Sequence, residues 1–128
     1  MRQLRSMGLT VAVASNFDRR LHAVFDRHSD LAAIEHRFVS SEIGWRKPDA
    51  RFFTTVCREL DCSPADVLYV GDDPSIDVAG AVAAGLPAIL LRRSGPKETG
   101  VVSDLRELAG CRPFRRGQQI PGNDRTVK

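Results

Sequence analysis

Three observations in the sequence predict an α/β fold built as a doubly wound parallel sheet. Short apolar runs suited to buried strands stand at residues 10–14, 67–70 and 86–91. Segments whose apolar residues recur at helical spacing separate them. Polar residues cluster directly after two of the strands, at Ser15–Asn16 and Asp72–Asp73. In such sheets ligands bind in the crevice beyond the carboxyl ends of the strands.

The elements follow in order. Residues 1–8 read as the tail of an amphipathic helix ending at Gly8. The strand at 10–14 leads into Ser15, and Asp18 caps a helix with Leu21, Val24 and Phe25 on its apolar face. Leu31, Ile34 and Phe38 carry an apolar pattern to Val39, a candidate second strand. Lys47-Pro48 opens another helix, with proline at its favoured first position and Phe52, Phe53, Val56 and Leu60 turned inward. Ser63 to Asp66 form a cap-like turn into the strand at 67–70. The following helix runs through Ala79, Val82 and Ala83 to a left-handed terminator at Gly85. A strand at 86–91 and a last helix at 104–109, capped by Ser103, complete the pattern.

Composition admits one domain. The chain has 128 residues, 42% hydrophobic and 27% charged, enough for a modest core. No apolar run is long enough to span a membrane, and no signal-peptide pattern opens the chain, so a cytoplasmic location is expected. Cys57, Cys62 and Cys111 are odd in number and lack metal-ligand spacing, as expected of idle thiols in a reducing compartment. The net charge of +3 is misleading. Residues 112–128 hold Arg112, Arg115, Arg116, Arg125 and Lys128 against Asp124, a net +4, which leaves residues 1–111 at −1. Residues 112–128 therefore read as a disordered basic tail with a single aromatic, Phe114, and no nucleic-acid partner is expected.

The stretch from Val67 to Asp77 carries the most chemistry. Four strand residues and Gly71 are followed by Asp72, Asp73 and Asp77. So much negative charge at a strand's end is costly without a cation, which indicates a hard-metal site for Mg²⁺. Lys47, at a helix start, can reach the same edge. A hydroxyl, an ammonium and a carboxylate-bound cation form a cradle for a phosphoryl group. Taken singly, each residue has a plainer role: Ser15 as a turn residue, Lys47 as a solvated loop lysine, and the aspartates as helix caps.

Together and in this order, the residues resemble the haloacid dehalogenase-like hydrolase superfamily. Ser15 matches its second motif, Lys47 in Gly44-Trp45-Arg46-Lys47-Pro48-Asp49 the third, and Asp72 with Asp77 the fourth. The resemblance covers residues 1 to about 110. It implies a Rossmann-like core and Mg²⁺-dependent hydrolysis of a small phosphorylated metabolite through an aspartyl-phosphate. By matching position, Ser15 would hold a phosphoryl oxygen with Asn16 beside it. Lys47 would balance charge on nucleophile and phosphate, and Asp72 would bind the metal. Asp77 would support Lys47 or the metal, and Asp73 would play a supporting part.

The family's first motif, an Asp-x-Asp pair on a central first strand, has no counterpart here, because no two aspartates are separated by one residue. The chain is therefore expected to be the carboxyl-terminal part of such a core (1–111), without the first strand and cap. Alone it would be inactive as a phosphoric monoester hydrolase. The flanking strands would lose their shared neighbour, which favours self-association. The alternative is a degenerate, non-catalytic phosphate-binding module or gene remnant of the same ancestry. A phospho-acceptor signalling domain groups similar residues, but there the acidic pair comes first and the lysine last, against the order Ser15, Lys47, Asp72.

Overall fold

A computed structural model describes residues 2–109 of the chain. The expected basic tail and Cys111 lie outside the described residues. The elements are α1 (Arg2–Ser6), β1 (Ala12–Ser15), α2 (Arg20–Asp26), α3 (Ser29–Ala32), β2 (His36–Val39), α4 (Ser40–Ile43), α5 (Ala50–Glu59), β3 (Tyr69–Gly71), α6 (Gly80–Ala83), β4 (Ala88–Leu91) and β5 (Val101–Val102). Tight 3₁₀ turns span Pro64–Asp66 and Leu105–Ala109. Strands alternate with helices and every strand pair is parallel, so the fold is α/β and Rossmann-like. No helix among the described residues is long and apolar enough to cross a membrane.

The sheet comes in two parts. β1 pairs with β2, Ala12 opposite His36 and Ser15 opposite Val39. β3, β4 and β5 form the other part, Tyr69 opposite Ala88 and Leu90 opposite Val101. No ladder joins β1 to β3. Instead the Tyr69 hydroxyl donates to the Ala14 carbonyl oxygen, 3.2 Å away. That bond matters because an edge carbonyl left dry and unpaired is costly.

The core lies under β3 and β4. Phe52, Phe53, Val56 and Cys57, spaced to share one face of α5, are all buried. They meet Tyr69, Val78, Ala81, Leu86, Ala88 and Leu90. Phe53 stands edge-on to Phe52, ring centroids 5.4 Å apart, and edge-on to Tyr69 at 5.1 Å. α5 stops where Asp61 takes φ 52° and the Cys62 N–H bonds the Cys57 carbonyl oxygen, a left-handed close.

Several local expectations are corrected. α5 begins at Ala50, not at Pro48: the Lys47-Pro48 peptide is cis, and Asp49 caps the helix by accepting the Arg51 N–H at 2.9 Å. α2 begins at Arg20, with Arg19 at the cap position and Asp18 closing the turn ahead of it. Val24 is exposed and no residue of α2 is fully buried, so its apolar face is shallower than the spacing suggests. α4 and the two-residue β5 were not anticipated. The helix after Asp72 begins as a π-helical stretch, Pro74–Ala79, in which the Val78 N–H reaches the Asp73 carbonyl oxygen five residues back. That widened turn rolls both Asp77 and Val78 inward.

One surface pattern recurs. Asp18–Arg20, Asp49–Arg51 and Asp104–Arg106 each form an ion pair at 2.8 Å, with the aspartate also accepting its arginine's backbone N–H. The hydrogen bonds from Arg51 and Arg106 hold the Asp49 and Asp104 carboxyls down to about 2.

Candidate active site

The carboxyl ends of β1 and β3 are joined through Lys47. Asn16, the residue after β1, accepts the Lys47 backbone N–H at 2.8 Å and returns a bond from its amide nitrogen to the Lys47 carbonyl oxygen at 3.1 Å. This pair of bonds fixes the peptide of Lys47 beside the end of β1. The Lys47 ammonium then crosses to Asp77 and donates to Oδ1 at 2.5 Å. Both side chains are nearly withdrawn from solvent, 11% and 6% exposed. Below the ammonium lies the Tyr69 ring, its centroid 5.6 Å from Nζ.

Asp77 organises the loop as well as the lysine. Its Oδ2 accepts the backbone N–H groups of Asp72 and Asp73, each at 3.1 Å. One carboxylate thus ties the ammonium to the loop that carries the acidic pair. Burial works against the charged Lys47, but the hydrogen bond to Asp77 and the Tyr69 contact outweigh it and hold the ammonium above its ordinary value. Burial likewise pushes the Tyr69 phenol up, against the pull of Lys47.

The acidic pair divides its work. Asp73 Oδ1 accepts the N–H groups of Ser75 and Ile76 at 2.9 and 2.8 Å, so it caps the π-helical stretch. Asp72 is exposed, and its carboxylate makes no hydrogen bond or ion pair among the described residues. Ser15 closes β1, half-buried, its hydroxyl also without a partner there. Asn16 was expected beside a phosphoryl group; its amide is committed to Lys47 at both ends, which leaves one amide hydrogen for an anion. Among the described residues no group of three or more His, Cys, Asp or Glu can hold a metal ion. Asp72 offers a hard cation one oxygen-bearing arm, a set that suits Mg²⁺ only with water and substrate oxygens completing it.

Two supports had no signal in the sequence. Tyr69 read only as strand, yet its ring underlies the ammonium and its hydroxyl spans the two parts of the sheet. Gly71 read as a strand terminator, yet a side chain there would collide with the Cβ and carboxylate of Asp77. Gly71→Ala is expected to cost about 1–3 kcal/mol in urea unfolding, through overpacking that displaces Asp77. A loss within error of zero would mean that the loop can shift aside freely.

Comparison with known proteins gives the family. The sequence model of the family described as haloacid dehalogenase-like hydrolase matches residues 1–85. The chain belongs to the haloacid dehalogenase-like hydrolases. It is 33% identical over 101 residues to a bovine (Bos taurus) haloacid dehalogenase-like hydrolase domain-containing protein 3, a match covering 79% of this chain and 40% of that one. It is 30% identical to the sesquiterpene phosphatase astK of Aspergillus oryzae, over 87% of this chain and 55% of the relative. The chain thus spans about half the length, or less, of these relatives. Among solved structures, a phosphatase of the family from Thermococcus onnurineus superposes with a TM-score of 0.79 at 21% identity, over 90% of this chain and 55% of that one, a likeness of fold.

Proposed function

We propose that this hydrolase chain supplies the phosphate- and cation-holding part of an Mg²⁺-dependent phosphatase acting on a small phosphorylated metabolite through an aspartyl-phosphate. The observation that carries the reading is the buried Lys47–Asp77 pair near the ends of β1 and β3. Ser15 closes β1 and Asp72 follows β3; among the described residues the Ser15 hydroxyl and the Asp72 carboxylate have no hydrogen-bond partner. Lys47 has three donors and gives one to Asp77, so two remain for phosphoryl oxygens. The Ser15 hydroxyl would donate to another oxygen, and the remaining amide hydrogen of Asn16 to a third. Because Asn16 and Asp77 hold Lys47 from both ends, little reorganisation is needed when charge builds on the phosphoryl group. Asp72 would hold the Mg²⁺, which when bound offsets phosphate charge. No Asp-x-Asp pair occurs in the chain, so the nucleophile is assigned to a segment not contained in it. That same lack favours a second reading, a phosphate-binding module without catalysis.

One experiment addresses both. With Mg²⁺ present, the 128-residue chain should bind inorganic phosphate, seen as amide shifts at Ser15 and Lys47, and Asp72→Asn or Lys47→Met should weaken that binding at least about tenfold. It should show no turnover of an activated aryl phosphate above background. Absence of phosphate binding would end the proposal. Turnover abolished by Asp72→Asn would show that the nucleophile lies within these residues, against both readings.

A further inference from the structure

An open cavity of about 520 Å³ lies beside the candidate site, lined by Asn16, Phe17, Arg20, Ser40, Ser41 and Arg46. It adjoins the cradle by construction: Asn16 forms part of its wall, and Arg46 immediately precedes Lys47, whose peptide Asn16 holds. The wall is rigid. The Ser40 hydroxyl and the Ser41 N–H both donate to the Phe17 carbonyl oxygen, at 3.1 and 3.2 Å. The Phe17 ring, 42% exposed, has the Arg20 guanidinium carbon 5.6 Å from its centroid.

The charges in this cavity do not cancel. Asp18 also lines it, but both of its oxygens accept from Arg20, at 2.9 Å from Nε, and a third contact from the same guanidinium lies at 2.8 Å. Acid and base neutralise each other there. The Arg46 side chain is exposed and makes no hydrogen bond or ion pair among the described residues. One unspent guanidinium therefore faces a cavity that also offers the Ser41 hydroxyl and an aromatic wall, one residue away from the phosphate-balancing lysine.

We propose that this cavity is a second-anion subsite, in which Arg46 receives a carboxylate or other acidic group on the organic part of the phosphate monoester while Phe17 flanks its carbon stem. The proposal rests on the phosphate site described above and names the substrate class it prefers: phosphate esters with a second negative group a few bonds from the phosphate. A planar guanidinium binds a carboxylate through two parallel hydrogen bonds, which gives orientation as well as affinity.

The test compares two probes that differ only at one carbon. 3-Phosphoglycerate ends in a carboxylate where glycerol 3-phosphate ends in a hydroxymethyl group. With Mg²⁺ present, the full chain should bind the first about tenfold more tightly than the second by calorimetry. Arg46→Gln should bring that ratio to about one, and Arg46→Lys should restore part of it. Arg58→Gln, which removes an equal charge from the exposed side of α5, should leave the ratio as it was. Equal affinity for the two probes, a ratio indifferent to Arg46, or an equal drop with Arg58→Gln would overturn the subsite. In those cases inorganic phosphate still binds and the phosphate site stands; if inorganic phosphate fails to bind, both readings fall together.

Discussion

Replacing Asp77 by alanine is expected to destabilise the protein by about 3–5 kcal/mol, the cost of leaving one partner of a buried ion pair behind. The pair itself contributes little net stability, because withdrawing two charges from water offsets most of their attraction. Its removal is what costs: the Lys47 ammonium stays buried over Tyr69, and the N–H groups of Asp72 and Asp73 lose their acceptor. Against a typical total of about 5–15 kcal/mol, such a loss removes between about a fifth and all of the folding free energy.

The pH dependence identifies the cause. In the parent chain the raised Lys47 value means that the folded state holds the proton more tightly than the unfolded one. That stabilisation is complete below the ordinary lysine value of 10.5 and disappears as pH climbs through the higher folded value. In Asp77→Ala the strongest of the contacts that raise the value is gone while burial remains, so the folded value falls and the alkaline loss of stability should shrink. Urea unfolding of both proteins between neutral and alkaline pH measures this change of slope. A loss under about 1 kcal/mol at neutral pH, or an alkaline slope undiminished in the variant, would contradict the assignment.

Phe53→Ala should be comparably severe, about 3–5 kcal/mol, since the ring is fully buried and its removal leaves a cavity among packed side chains. Phe53 also supports the site. It stands edge-on to Tyr69, the ring beneath Lys47, and it is one of the atoms that a side chain at Gly80 would strike, together with Pro48. Gly80 lets α6 approach the Lys47-Pro48 turn closely, with Phe53 wedged against both. The variant should therefore shift the Lys47 and Asp72 amide resonances, not only those of the core. A stable protein with an unchanged site would show that Tyr69 is held without it.

Much of this fold was legible in the sequence because burial leaves a local trace. Phe52, Phe53 and Val56 announce α5 by spacing alone, and the apolar run ending at Gly71 announces β3. Lys47 and Asp77 lie thirty residues apart, so no local period reveals their bond; motif order placed them at one edge, and the coordinates supply the contact. The π-helical turn was hidden because one extra residue barely disturbs a helical pattern. β5 is too short to stand out, and cis geometry at Pro48 leaves no mark that separates it from a helix start. Tyr69 was missed because an aromatic residue in a strand needs no explanation beyond packing.

The repeated Asp-x-Arg brackets bear on how this molecule meets others. Where each arginine closes on an acid two positions earlier, the surface presents dipoles that fade within a few ångströms instead of a far-reaching positive field. At these three brackets an approaching polyanion gains little long-range pull, and recognition there has to come from close fit.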